Sequence, residues 1–128
     1  MTTETLIKSI QFADLPALRA EFEGGEYAGI VTQKDGTNVA VIRLPGRGED
    51  LDHSGAKAYA AERGGKLPSK VEAALLASNL ELEDDWYWID EDYDASFAWC
   101  FTSDGDTNLT HKSAEGGALA VRLIQITA

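Results

Sequence analysis

The chain of 128 residues holds one cysteine, one methionine and three prolines, and its 11 Lys+Arg are outnumbered by 22 Asp+Glu. A lone cysteine, Cys100, rules out an internal disulfide and any cysteine-based zinc or iron–sulfur cage within one chain. The shortage of bases leaves a formal charge of -11, which opposes direct contact with nucleic acid or an anionic membrane, both polyanions. No apolar run approaches the roughly 20 residues of a membrane span. The opening Met1-Thr2-Thr3-Glu4 lacks the basic-then-apolar order of a secretory leader, so the cytoplasm is the expected compartment.

What is present fits one packed domain over 1–128: 44% hydrophobic residues and 9% aromatic ones suit a core rather than disorder. Residues 1–48 read as strands and a hairpin. Leu6, Ile10 and Phe12 share one side of a short extended run that Asp14-Leu15-Pro16 breaks. Residues 16–22 read equally as a helical turn or a strand. The clearest hairpin joins 27–32 to 38–44 through Gln33-Lys34-Asp35-Gly36, whose Asp-Gly pair accepts positive φ. Pro45-Gly46-Arg47-Gly48 ends the return strand.

The middle is helical. An Ala-rich stretch predicts a helix near 54–64 that Gly64-Gly65 stops. Ser69 and Glu72 match a capping box that opens a second helix over 69–79. Val71, Ala74 and Leu75, at i, i+3 and i+4, are expected to face the core. Strands then return. Trp86-Tyr87-Trp88-Ile89 is one, and Phe97, Trp99 and Phe101 alternate with Ala98, Cys100 and Thr102 along another. Ser103-Asp104-Gly105-Asp106 turns the chain, 107–112 pairs back, and 118–126 reads as the final strand after Gly116-Gly117. The expected fold is α+β, with two helices packed on a mostly antiparallel sheet that includes 97–102 and 118–125. Leu67, Val71, Leu75, Trp88, Phe97, Trp99, Phe101, Val121 and Leu123 are the expected core.

The stretch Gly64-Gly65-Lys66-Leu67-Pro68-Ser69-Lys70-Val71-Glu72-Ala73-Ala74-Leu75-Leu76 is followed by Trp86-Tyr87-Trp88 and Ala98-Trp99-Cys100-Phe101. A glycine at 105 and a closing Ala120-Val121-Arg122-Leu123-Ile124 come after them. Over 53–124 this pattern resembles the Lcl C-terminal-like family of bacterial and phage proteins. The resemblance implies a C-type-lectin-like fold over 49–128, related to formylglycine-generating enzymes, with the N-terminal hairpin as an addition. It also implies a phage or prophage origin, and with that origin the cytoplasm of the host cell. The chain departs from the family where Ile89-Asp90 replaces the usual Thr-Ser, and where acids replace a loop of Ser, Tyr and Asn.

Formylglycine-generating enzymes use two cysteines with copper, and related sulfoxide synthases use three histidines on iron. Cys100, His53 and His111 can assemble neither set. A Cys–His nucleophile pair is formally available. Cys100, however, lies opposite Phe97, Trp99 and Phe101 on its strand and reads as a small buried hydrophobe, while both histidines read as surface residues. Gly46-Arg47-Gly48 lacks the Lys-Ser/Thr of a phosphate loop. Asp104-Gly105-Asp106-Thr107-Asn108 resembles the start of a calcium loop, with Glu115 at the twelfth position, but Leu109 stands where glycine is needed. A hairpin turn is expected there. No catalytic residue, metal or cofactor is expected.

The strongest local anomaly is the window 81–94. It holds eight acids (Glu81, Glu83, Asp84, Asp85, Asp90, Glu91, Asp92, Asp94) and no base, interleaved with Trp86, Tyr87, Trp88 and Tyr93. Aromatic anchors beside a concentrated negative field suit recognition of a basic protein surface. Glu83, Asp84, Asp85, Trp86, Asp90, Glu91, Asp92, Tyr93 and Asp94 are therefore the candidate partner-binding residues. The expected function is a non-catalytic binding protein with a basic partner. The alternatives are an anti-defence inhibitor that imitates nucleic acid, and a display module for a glycan or receptor.

Overall fold

The computed structural model describes residues 8–127. β1 (Ser9–Gln11), a 3-10 turn (Phe12–Asp14), β2 (Glu21–Phe22), β3 (Gly25–Thr32), β4 (Asn38–Arg43) and β5 (Gly48–Leu51) precede the helices α1 (His53–Glu62) and α2 (Lys70–Asn79). β6 (Trp86–Asp92), β7 (Phe97–Thr102), β8 (Thr107–His111), β9 (Gly116–Ala118) and β10 (Val121–Thr127) follow. Among the described residues the strands form two five-stranded sheets, ordered β1-β10-β4-β3-β2 and β5-β9-β6-β7-β8. Pairing is antiparallel except between β1 and β10 and at the Tyr87–Gly117 bridge that joins β6 to β9. The fold is thus α+β and mostly antiparallel.

The 27–44 hairpin forms as its Asp-Gly turn requires, with the Gly36 amide donating to the Gln33 carbonyl at 2.9 Å. It lies inside the first sheet, since β4 is bonded to β3 on one side and β10 on the other. The β3–β4 register shifts between Tyr27 and Gly29, where Gly29 takes φ +128°. That bulge leaves the Ala28 carbonyl free to accept from Asn79 Nδ2 at 2.8 Å, tying the end of α2 to β3. Of the 16–22 stretch only Glu21–Phe22 is strand, and the rest is a turn in which the Ala20 amide donates to the Ala17 carbonyl.

Both helices begin and end for local reasons. Asp52 accepts the Gly55 amide at 2.7 Å to open α1, and Gly64, at φ +78°, lets the Gly65 amide reach back to the Ala60 carbonyl. The capping box of α2 is present in both directions. The Glu72 amide donates to Ser69 Oγ at 3.2 Å, and the Ser69 amide donates to Glu72 Oε1 at 3.0 Å. Lys66 Nζ meets the same Glu72 oxygen at 2.6 Å, so the buried carboxylate is paired. The face of α2 therefore differs from the one expected. Glu72, Ala73 and Leu76 are buried, Leu75 is half-buried, and Val71 is 59% exposed with Ala74 also outward.

One core lies among the first sheet, α2 and the second sheet, with Val41, Leu76, Tyr87, Ile89, Phe101 and Val121 at its centre. A second lies beneath α1, around Ala56, Ala60, Leu67, Trp88, Cys100 and Ala118. A third covers the other face of the first sheet, where Tyr27, Ala40, Ile42 and Ile124 meet Ile10, Leu15 and Phe22. Leu6 lies outside the described residues, and Phe12 is 66% exposed rather than facing inward with Ile10.

Three further expectations are corrected. Residues 118–126 are not one strand: β9 belongs to the second sheet and β10 to the first, and the chain crosses between them at the buried Leu119 and Ala120. Consequently 97–102 and 118–125 do not share a sheet. Gly48 opens β5 instead of merely ending β4. Leu67, Trp88, Phe101 and Val121 are core as expected, Leu75, Trp99 and Leu123 are half-buried, and Phe97 is exposed at 38%.

Candidate functional site

The acidic window runs into β6, whose centre is core. Tyr87, Trp88 and Ile89 are fully buried. The Trp88 indole donates to the Leu51 carbonyl at 2.8 Å. The His53 ring stands edge-on to Trp88 at 5.0 Å, with Nε2 3.2 Å from the Ile89 carbonyl. His53 is thus a buried residue at the start of α1, not a surface one, because the indole and the strand backbone cover it.

The acids fall into two groups at opposite ends of β6, about 20 Å apart for a strand of this length. At the first end Arg47 gathers Glu49 at 2.6 Å, Asp85 at 2.9 Å and Glu83 at 3.2 Å, with its guanidinium 5.9 Å from the Tyr87 ring. The Glu49 contact is the main reason the guanidinium holds its proton more tightly than usual. Burial, opposed by Arg47, raises the Tyr87 hydroxyl above its ordinary range, and that hydroxyl donates to the Glu83 carbonyl at 2.6 Å. Trp86 is half-buried, edge-on to Trp88 at 5.1 Å and lying over Gly116, where a Cβ would stand 2.3 Å from the indole. Asp84 is exposed. This end is a clamp between the approaches to β5 and β6.

At the other end the alternation of β6 divides the acids between two faces. Asp90 and Asp92 point to the α1 side. Asp90 meets Lys57 at 4.0 Å, and Asp92 meets Lys112 at 3.3 Å and His53 Nδ1 at 3.7 Å. The Lys112 contact above all holds the Asp92 carboxyl below its ordinary range. Glu91 points to the α2 side, 3.2 Å from Lys70 Nζ, and that ammonium lies 3.6 Å from the Trp99 ring centroid. Tyr93, 62% exposed, stands edge-on to Trp99 at 6.4 Å. Asp94 holds the turn into β7 by accepting the Ser96 and Phe97 amides, each at 2.8 Å.

Around Trp99 the register completes a surface. Trp99 pairs with Leu109 and Phe97 with His111, so these side chains share one face of β7 and β8. Phe97 and Leu109 are exposed beside Tyr93, and Glu91 and Asp94 border them. An open groove of about 330 Å³, lined by Val31, Lys34, Lys70, Val71 and Glu91 among others, adjoins Glu91. Of the candidate residues, Glu91, Tyr93 and Asp94 are brought together here, while Glu83, Asp84, Asp85 and Trp86 belong to the clamp end. Phe97 and Leu109 are additions. The alternation along β7 placed Phe97 on the Trp99 side, but nothing local shows that packing covers this face at Phe101 and leaves it open at Phe97.

The reactive side chains have separate partners. Cys100 Sγ lies 3.0 Å from Thr110 Oγ1, and burial pushes the thiol up, away from the nucleophilic thiolate. His111 Nδ1 lies 2.7 Å from Ser113 Oγ and also accepts the Ser113 amide at 3.2 Å, a contact within a two-residue turn. That pair was legible only as the bare triplet His111-Lys112-Ser113. Asp104-Gly105-Asp106 lie in a hairpin turn closed by the Thr102 amide donating to the Asp106 carbonyl at 2.9 Å, and Thr107 and Asn108 open β8. Among the described residues no cluster of His, Cys, Asp and Glu is arranged to hold a metal, and no helix is long and apolar enough to cross a membrane. No protein-family model matches the chain, and no curated protein matches it.

Proposed function

We propose that the chain is a non-catalytic binding protein that engages a basic protein surface through the Trp99 face. Tyr93 and Phe97 are the anchors and Glu91 and Asp94 the acidic border. The observation that carries this reading is the exposure of Tyr93, Phe97 and Leu109 as one apolar face around Trp99. Scattered apolar side chains are ordinary on a surface, whereas a contiguous aromatic group with a charged rim is what interfaces use. Lys70 supports a cationic partner, since an ammonium already rests between Trp99 and Glu91. The C-type-lectin-like scaffold and the phage or prophage origin belong to the same proposal and rest on the resemblance over 53–124, which includes the Ser69–Glu72 capping box.

Imitation of nucleic acid is the weaker alternative. Glu81, Glu83, Asp85, Asp90, Glu91 and Asp92 each lie within 4.0 Å of a basic side chain of the same molecule, which reduces the outward field. A salt titration separates the readings. A polyanion mimic loses affinity for its partner steeply as salt rises, and an aromatic-anchored contact loses little. With a basic partner captured by the wild-type chain, Tyr93→Ser and Phe97→Ser should each weaken binding roughly 30-fold, the scale of an interface hot spot. Binding unchanged in both variants would remove the Trp99 face from the interface.

A further inference from the structure

We propose that β8 is a self-pairing edge through which two copies of this chain join their second sheets. The pairing is antiparallel, with Leu109 opposite Leu109 of the second copy. This goes beyond the binding face, because it uses the open edge of the sheet rather than the side chains above it.

The backbone geometry comes first. Among the described residues β8 ends the sheet order, with β7 on one side and no strand on the other. Its ladder runs through five consecutive pairs from Phe97–His111 to Phe101–Thr107 without a shift, whereas β3–β4, β5–β9 and β6–β7 each carry one. The Thr102 amide donates to the Asp106 carbonyl and the Lys112 amide to the Ser96 carbonyl, so even-numbered residues of β8 bond inward. By the alternation of antiparallel ladders, Thr107, Leu109 and His111 then turn their amides and carbonyls outward. Natural sheets blunt such edges with bulges, prolines, inward charges or very short strands. The other edges are blunted: β2 has two residues, β1 three, and β5 carries a register shift with Asp50 at φ +54°. β8 has none of these devices.

Charge then selects the occupant. Residues 107–113 contain no acid in a chain of net charge -11, so two copies meet little repulsion along this strand. In an antiparallel pair centred on Leu109, Thr107 faces His111 of the second copy and Asn108 faces Thr110. Asp106 faces Lys112, and the two-fold axis repeats that opposite-charge pair. The centre on an odd-numbered residue also fits the outward-facing bonds, so Leu109 and its counterpart exchange both. The exposed Leu109 side chains meet beside Trp99 of each copy, extending one apolar face across the junction.

A five-residue edge buries little surface, so the dimer should be weak and reversible. Sedimentation velocity of the full chain should show a rise in sedimentation coefficient as concentration climbs to roughly 1 mM, the range of weak association. Added salt should strengthen the dimer, because it screens repulsion between two acidic copies. Leu109→Pro removes an outward amide, which an edge strand tolerates, and should abolish the dimer with the thermal melt retained. Asp106→Lys should weaken it roughly 5-fold through two like-charge contacts. Leu109→Cys should cross-link on mild oxidation, since opposed Cα atoms about 5.5 Å apart suit a disulfide, and Thr107→Cys should not. A wild-type chain that stays monomeric over that range, or a dimer indifferent to Leu109→Pro, overturns the proposal. So does Leu109→Cys cross-linking no faster than Thr107→Cys.

Discussion

Lys70 is held between two partners of different kinds: its Nζ lies 3.6 Å from the Trp99 ring centroid and 3.2 Å from Glu91 Oε2. The side chain is 39% exposed, so neither contact is sealed from water. Lys70 also opens α2, where a positive charge opposes the helix dipole. Its position is better matched to the Trp99 face than to the stability of its own helix.

Replacing Lys70 by Gln should therefore change stability by less than about 1 kcal/mol, because the lost cation–π contact is offset by relief at the helix start. The variant should associate faster with a basic partner, since Glu91 and the Trp99 ring become available to it. Stopped-flow rates at low salt, with urea denaturation of the same samples, check both halves. Slower association would show that Lys70 itself belongs to the interface.

Ser69→Ala should cost about 0.5–2 kcal/mol, the range for a lost N-cap. Glu72→Ala should cost about 1–3 kcal/mol, because it leaves the half-buried Ser69 amide without its partner and frees Lys66. The double variant should lose less than the two costs added together, as both belong to one reciprocal motif. Full additivity in urea melts would mean that the two bonds act independently.

Glu72 also shows why the helices were legible and their packing was not. Caps and stops are local: Ser69 with Glu72, and Gly64 with Gly65, mark the ends in the sequence itself. The buried face is not local. A glutamate at the centre of a stripe argues against burial unless a cation such as Lys66 neutralises it, so the sequence pattern points to Val71, one position away. The crossing at Leu119 is similar, since an apolar run carries no mark of passing from one sheet to another. The acidic window read as unbalanced for the same reason. Its cations Arg47, Lys57, Lys70 and Lys112 come from other parts of the chain, and pairing with them gives most of those acids a structural role.

Leu76 and Leu75 test the corrected face directly. Leu76 is fully buried against both sheets, and its truncation to Ala should cost about 2–5 kcal/mol. Leu75 is half-buried near Gly29, so Leu75→Ala should fall clearly below that value. Urea midpoints at constant m-value compare the two. Equal losses would return the centre of the helix face to the Leu75 side.

Asp92 makes the stability of the fold depend on pH. Lys112 first, then Lys57 and His53, hold its carboxyl below the ordinary value of 3.8. The folded chain thus binds that proton less readily than the unfolded chain. The stability Asp92 contributes is present above the ordinary carboxylate range and is lost as pH falls through the lowered folded value. Acidification also relieves repulsion in a chain of net charge -11, an effect of opposite sign, so the wild-type curve alone does not isolate the residue. The difference between wild type and Asp92→Asn does. Asp92→Asn should be the less stable protein at neutral pH, and its deficit should shrink once the pH drops below about 4, as the wild-type carboxyl itself becomes neutral. Lys112→Met should show the same convergence, because it removes the main partner of that carboxyl. Urea midpoints for the three proteins across this range decide the matter. A deficit that persists undiminished in acid would assign the role of Asp92 to packing instead of charge.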